Sequence, residues 1–307
     1  MSLLALLGCA PATPRPRLPS LPPSFTATEV VAESVVTVFG FDGGPFVLLP
    51  ERRLAAWRVE GAEARAVGPS GAGWYRAAAQ GPDELWAVTA TLAPEGQGSL
   101  YRLHVERAGA WEDRGPIPAT SLTGLAVEGG GVGWVVGVRQ LFHTVDGGAS
   151  WQAVPDALAP GDVPETIGVS GPGGLLVGGS ALRATTDGGA TWATPLPAPV
   201  VATDGRWIVS GTSDRPRVGE LVDGAVRWTG ELPAGWLADR VCAGGGAEGV
   251  VRVRANKVGT SQLAVFESRD GGRTFARQRI SGASDPAWVG LGEGVVAMDV
   301  ERRLRAY

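Results

Sequence analysis

Three aspartates recur in one setting, and a carboxylate is the first side chain to examine for acid–base chemistry. Asp146 lies in Thr144-Val-Asp-Gly-Gly-Ala-Ser-Trp151, Asp187 in Thr185-Thr-Asp-Gly-Gly-Ala-Thr-Trp192, and Asp270 in Ser268-Arg-Asp-Gly-Gly-Arg-Thr-Phe275. The shared pattern is S/T-x-D-G-G-x-S/T-W/F, called the box below. Two roles compete for its aspartate. One is catalysis by proton transfer. The other is local: the carboxylate accepts hydrogen bonds from its own turn, glycines such as Gly148, Gly189 and Gly272 supply the positive φ a hairpin needs, and Trp151, Trp192 or Phe275 packs on a neighbouring strand. Other reactive types are sparse. The chain has 2 histidines and 2 cysteines. His104 and His143 show no metal-ligand spacing, and both sit in strand-like segments, where a satisfied structural imidazole is the simpler reading. Cys242 lies in the apolar run Arg240-Val-Cys-Ala243 and reads as a small core residue. We expect no metal and no cofactor.

The boxes must be positioned by a repeating element. Their aspartates are 41 and 83 residues apart, so the period is near 41 with one copy degraded. Around the second box, four short strands fit into one period: 165–170, 174–178, 181–186 and 191–194, with the box at the turn between the third and fourth. The box aromatic follows its aspartate by five residues, so Trp111 marks a degraded copy at Glu106 and Trp228 one at Asp223. Trp57-Arg-Val-Glu60-Gly61 reads as another. A seventh unit supplies three strands at 287–291, 294–298 and 303–307, and Phe25-Thr-Ala-Thr-Glu-Val-Val31 is the candidate for its fourth. This predicts an all-β fold, a seven-bladed β-propeller of four-stranded antiparallel blades closed by an N-terminal strand, which leaves no open sheet edge.

The start of the chain reads differently. Leu6-Leu7-Gly8-Cys9 ends an apolar run too short to span a bilayer, and a proline-rich stretch to Pro23 follows. Leu6, Gly8 and Cys9 resemble the lipobox of bacterial lipoprotein signal peptides, without the usual positive segment before it. That resemblance implies lipidation of Cys9 and a cell-envelope location, periplasmic or surface-facing, with secretion as the outcome if Cys9 is not lipidated. The expected organisation is a signal segment over 1–9, an extended tether over 10–23, and one propeller domain over 24–307. Net charge is −4, and no basic or acidic run appears, so nucleic acid is not an expected partner.

The boxes resemble the Asp-box, or BNR repeat, of sialidases, sortilin-like receptors, xyloglucan-active endoglucanases and photosystem II assembly and stability factors. In those families the box is peripheral and structural, which implies that Asp146, Asp187 and Asp270 are turn staples. A sialidase-like site needs an arginine cluster, a tyrosine nucleophile with a glutamate partner and an aspartate acid/base. The only tyrosines are Tyr75, Tyr101 and Tyr307. Xyloglucan-active relatives use two tandem propellers, and this chain has length for one. We therefore expect no catalytic residues, with a glycoside hydrolase of sialidase-like type as the alternative.

Propellers bind on the face formed by the second-to-third strand loops and the fourth-to-first connections between blades. The register places Arg52 and Arg53, Arg139, Arg215 and Arg217, Arg254 and Lys257, and Arg302 and Arg303 on that face, a basic group in five units of seven. Trp74, Trp236 and Trp288 fall in the same connections, and aromatic residues with arginine are typical interface anchors. The photosystem factors carry an arginine patch used in binding, so the resemblance implies a similar use here. The sequence reading is a monomeric, non-catalytic binding or assembly module, membrane-anchored through lipid, with a protein or glycan ligand on the loop face.

Overall fold

The computed structural model describes residues 36–41, 44–50, 56–60, 63–67, 73–81, 84–94, 98–108, 110–158, 162–243, 249–260, 262–278, 288–291, 295–298 and 304–306. Among them the strands form seven antiparallel sheets, six of four strands and one of three, each built from consecutive strands in order. The first sheet comprises β1 (Val36–Phe41), β2 (Gly44–Pro50), β3 (Ala56–Glu60) and β4 (Glu63–Val67). The second comprises β5 (Trp74–Gln80), β6 (Leu85–Leu92), β7 (Ser99–Arg107) and β8 (Ala110–Ile117), and the third β9 (Gly124–Gly129), β10 (Val132–Gly137), β11 (Gln140–Thr144) and β12 (Gln152–Ala153). The fourth holds β13 (Thr166–Gly171), β14 (Gly174–Gly178), β15 (Leu182–Thr185) and β16 (Ala193–Leu196); the fifth holds β17 (Val200–Thr203), β18 (Trp207–Ser210), β19 (Arg217–Val222) and β20 (Ala225–Glu231). The sixth contains β21 (Trp236–Ala243), β22 (Val251–Lys257), β23 (Leu263–Ser268) and β24 (Ala276–Arg277), and the three-stranded seventh contains β25 (Trp288–Leu291), β26 (Val295–Met298) and β27 (Leu304–Ala306).

Burial explains why the middle strands are apolar runs rather than alternating ones. In β10 and β14 nearly every residue is buried, whereas both residues of β12 are exposed. A strand covered on both faces must be apolar on both, so Trp134-Val-Val136 and Leu175-Leu-Val177 are what sheets stacked face to face require. The first strands of successive sheets touch one another, and β25 touches β1, so the contacts return to where they began.

The core is therefore a series of layers between sheets. Between the second and third, Trp86 is fully buried against Val135 and meets Trp151 edge-on at 6.5 Å between ring centroids. Gly133 makes room for it, since a Cβ there would lie 2.4 Å from the Trp86 ring. Between the third and fourth, Trp134 packs with Leu175 and Val177, and between the fifth and sixth Trp207 packs with Val251 and Phe266.

Most of the expected strands are present, and the boxes do occupy the turns between third and fourth strands. Glu106 and Glu60 are instead strand residues: Glu60 ends β3, and Glu106 lies one residue before the end of β7, pairing with Trp111 across the ladder. The expected closing strand at 25–31, the tether and Cys9 lie outside the described residues.

Candidate functional site

Two opposite rims carry the turns. One holds the first-to-second turns and the boxes. The other holds the second-to-third loops and the connections between sheets.

On the first rim, the three box aspartates make one pattern of bonds. Asp146 accepts from the Thr144 hydroxyl (2.8 Å), the Ser150 N–H (2.9 Å) and the Ser150 hydroxyl (2.6 Å). Asp187 accepts from Thr185 and from the N–H and hydroxyl of Thr191 at the same three distances. Asp270 does so from Ser268 and Thr274. These bonds, led by the Ser150 and Thr191 hydroxyls, hold Asp146 and Asp187 at about 2, and the Thr274 hydroxyl leads in pushing Asp270 well below the usual carboxylate range. Each carboxylate is ionised at neutral pH and accepts at least three hydrogen bonds from its own turn. The first hydroxyl of each box in turn accepts from the second glycine, as Thr144 does from the Gly148 N–H (3.0 Å).

The box also reaches two neighbours. Within its own sheet, the first glycine donates its N–H to the turn between first and second strands: Gly147 to Gly131, Gly188 to Gly173 and Gly271 to Gly249. Toward the preceding sheet, the second glycine lies flat against side chains, so that an added Cβ would meet Leu103 at Gly148, Trp134 at Gly189, and Thr229 and Trp207 at Gly272. The aromatics follow: Trp151 joins the layer around Trp86, Trp192 that around Trp134, and Phe275 that around Trp207. Acidic side chains add further staples from one sheet to the next, Glu84 to the Gly131 N–H (3.1 Å), Glu128 to Gly173 (2.8 Å) and Asp204 to Ala243 (2.7 Å). Long-range packing of this kind leaves no mark on local spacing.

The two histidines are absorbed into packing. His104 Nε2 bonds the Thr89 hydroxyl at 3.0 Å, and His143 stacks on Trp134 at 3.8 Å. Burial lowers both imidazoles below their ordinary pKa. Among the described residues no three His, Cys, Asp or Glu side chains converge as a metal-binding group.

On the loop rim, Arg139 occupies the two-residue turn between β10 and β11 with φ of 59°, and Lys257 ends β22; both are exposed. Arg215 is exposed and pairs with Glu231 at 3.3 Å. Arg217 lies over the Trp228 ring at 4.1 Å. Arg254 is not in a loop: it sits inside β22, hydrogen-bonded to Asp239 at 2.8 Å. Trp74 is half-buried against the second sheet's core. Trp236 is buried, 7% exposed, edge-on to Phe266 at 5.2 Å, because the first residue of β21 turns into the layer between sheets. Trp288 begins β25. Arg52 and Arg302 lie outside the described residues.

The loop rim carries a second feature that composition hides. Of the seven large apolar side chains exposed among the described residues, six are on it: Leu92, Leu100, Val138, Val163, Leu237 and Val258; only Val145 is on the box rim. Val138-Arg139 and Lys257-Val258 are apolar–basic pairs at the second-to-third connections of two sheets. The loops are tied together. Val138 N–H donates to the Ser121 hydroxyl (2.7 Å), Thr120 bonds the Gln140 amide (3.0 Å), and Val258 N–H donates to the Gly235 carbonyl (2.9 Å). Exposed apolar groups on a braced surface beside basic ones are the makings of an interface.

The sequence matches no protein-family model, and no curated protein matches it. Solved structures do. YCF48 bound to D1 peptide superposes with a TM-score of 0.59 at 15% identity over 94% of this chain and 97% of that one. YCF48 from Cyanidioschyzon merolae gives 0.60 at 12%, covering 90% and 95%. The GH74 xyloglucanase from Xanthomonas campestris gives 0.63 at 15%, covering 94% of this chain and 52% of that enzyme. At such identities the likeness is one of fold. With the stacked four-stranded sheets above, it makes this chain a β-propeller.

Proposed function

We propose that the chain is a non-catalytic binding or assembly propeller that engages a protein partner through its loop rim. One observation carries the reading: six exposed apolar side chains gather on that rim beside the exposed Arg139 and Lys257, while the box aspartates of the opposite rim are engaged in bonds within their own turns. YCF48 bound to D1 peptide supports it, as a propeller of matching extent whose structure includes a peptide. The boxes are Asp-boxes in this reading, with structural aspartates. The body is a ring of seven blades, the last completed by residues 25–31, and Cys9 is the lipid anchor that holds the module at the cell envelope.

The test is charge reversal on the rim. Arg139→Glu together with Lys257→Glu should abolish co-purification of the partner captured by the wild-type chain from envelope extract, with an unchanged melting curve. Retention of the same partner at wild-type yield would overturn the proposal. A glycoside hydrolase is the second reading, favoured by the likeness to the GH74 fold. It predicts turnover of fluorogenic glycosides, and robust turnover abolished by a single carboxylate substitution would replace the binding reading.

A further inference from the structure

Between the second and sixth sheets there are four boundaries, and at three of them the box rim is closed by the same three devices. The second box glycine, Gly148, Gly189 or Gly272, lies flat against the preceding sheet. The box aromatic, Trp151, Trp192 or Phe275, joins the core at that boundary. An acidic side chain reaches from one sheet to a backbone N–H of the next, Glu84 to Gly131, Glu128 to Gly173 and Asp204 to Ala243. Among the described residues, the boundary between the fourth and fifth sheets has none of the three. The fifth sheet passes from β19 to β20 through the two-residue turn Asp223-Gly224, without a box. Its aromatic, Trp228, pairs with Gly219 of its own ladder and lies under Arg217. Ser170 precedes the last residue of β13 as Glu128 precedes that of β9, and its hydroxyl makes no hydrogen bond to the fifth sheet among the described residues.

The core of this boundary is also the thinnest of the four. Among the described residues it has five buried apolar side chains, Leu176, Leu182, Ala184, Val200 and Ile208, against seven between the third and fourth sheets and thirteen at each of the other two. None of the five is aromatic, and less apolar burial means a weaker hold between the faces. Leu196, Leu221 and Val226 pack on this layer. Outside it the walls part on the box rim as a cleft of about 690 Å³, edged by Ser170, Thr186, Asp204 and Asp223. The hydrogen bonds that do cross lie on the first strands and the loop rim. Thr203 donates its N–H to the Thr166 hydroxyl (3.1 Å), which donates to the Thr203 carbonyl (3.3 Å), and Val200 donates its N–H to the Gly179 carbonyl (2.9 Å). The joint is bonded along its inner edge and unfastened along its outer one.

We propose that this boundary is a hinged seam, at which the fourth and fifth sheets part at the box rim while their first strands stay together. The opening is local, leaves each sheet's own ladder intact, and stands whether or not the loop rim binds a partner. Single cysteines in the full-length chain, with Cys9 and Cys242 replaced by Ser, report it through their rate of labelling by N-ethylmaleimide under native conditions. Neighbours on one strand supply the control. Leu176→Cys faces the seam and Leu175→Cys the boundary with the third sheet; on β18, Ile208→Cys faces the seam and Val209→Cys the boundary with the sixth sheet. All four positions are fully buried, as is Val200 on the inner strand of the seam. Labelling at 176 and 208 should be about tenfold or more faster than at 175 and 209, and Val200→Cys should label more slowly than Ile208→Cys because it lies at the hinge. The two pairs sit on opposite walls of the seam, so either decides the matter if a member of the other fails to fold. Equal rates within a pair of variants with matching melting curves, or labelling of Val200→Cys as fast as that of Ile208→Cys, would overturn the proposal.

Discussion

At the scale of single residues, the box aspartates are consumed by their own turns, and acid stability should report it. The hydroxyl and N–H bonds lower the folded-state pKa of Asp146 and Asp187 from 3.8 to about 2. The unfolded chain then binds more protons than the folded one through that interval, so stability rises with pH. The contribution is complete above the unfolded value and disappears as pH falls from about 4 to about 2. Substituting all three aspartates by Asn should lower the melting temperature at pH 7 and flatten its fall below pH 4, as measured by thermal scans at stepped pH; an unchanged acid limb would contradict the assignment. The box glycines make a sharper comparison. Gly148→Ala combines a φ of 85° with a Cβ driven onto Leu103, whereas Gly130→Ala has a φ of 63° and open space. In urea titrations, Gly148→Ala should destabilise by about 1–3 kcal/mol more than Gly130→Ala. The sequence pattern displayed the positive φ and concealed the contact, because Leu103 belongs to the preceding sheet and no local spacing records it.

At the scale of elements, each box ties its sheet to the one before. Trp86 and Trp151 meet across such a boundary. A double-mutant cycle with Trp86→Leu and Trp151→Leu should give a coupling of about 0.5–1.5 kcal/mol, as expected for edge-on aromatic pairs; additive losses would contradict the staple. Strand order and the turns between third and fourth strands were legible because the aromatic spacing is a ruler that survives when the rest of the box has decayed, as at Asp223. The ruler slipped by the length of a turn at Glu60 and Glu106, where the connection is a tight hairpin and the acidic residue stays in the strand. Trp236 and Arg254 were harder still. A strand's first residue can turn inward, as Trp236 does against Phe266, and a basic residue inside a strand can be claimed across the ladder, as Arg254 is by Asp239. Which face a side chain takes depends on register between neighbouring strands, which periodicity alone does not fix in strands buried on both sides.

At the scale of the whole molecule, the two rims divide the work. Closure by residues 25–31 predicts that deleting 24–33 lowers thermal stability sharply, because the deletion opens a ring whose sheets otherwise protect one another's edges. An unchanged melting curve would refute it. Lipidation predicts that Cys9→Ser moves the protein from the membrane to the soluble fraction. Basic residues on the loop rim were visible in the sequence, but Leu92, Leu100, Val138, Val163, Leu237 and Val258 were not, because an exposed aliphatic looks like a core residue until the chain is folded. They turn a charged rim into a candidate interface and make the central claim testable by position. A photo-reactive amino acid placed at Arg139 or Val258, and at Val145 on the box rim as a control, should be irradiated in intact cells and the adducts resolved by mass. The account predicts a discrete protein adduct from positions 139 and 258 and little from 145; equal yield at all three, or adducts from 145 alone, would contradict it.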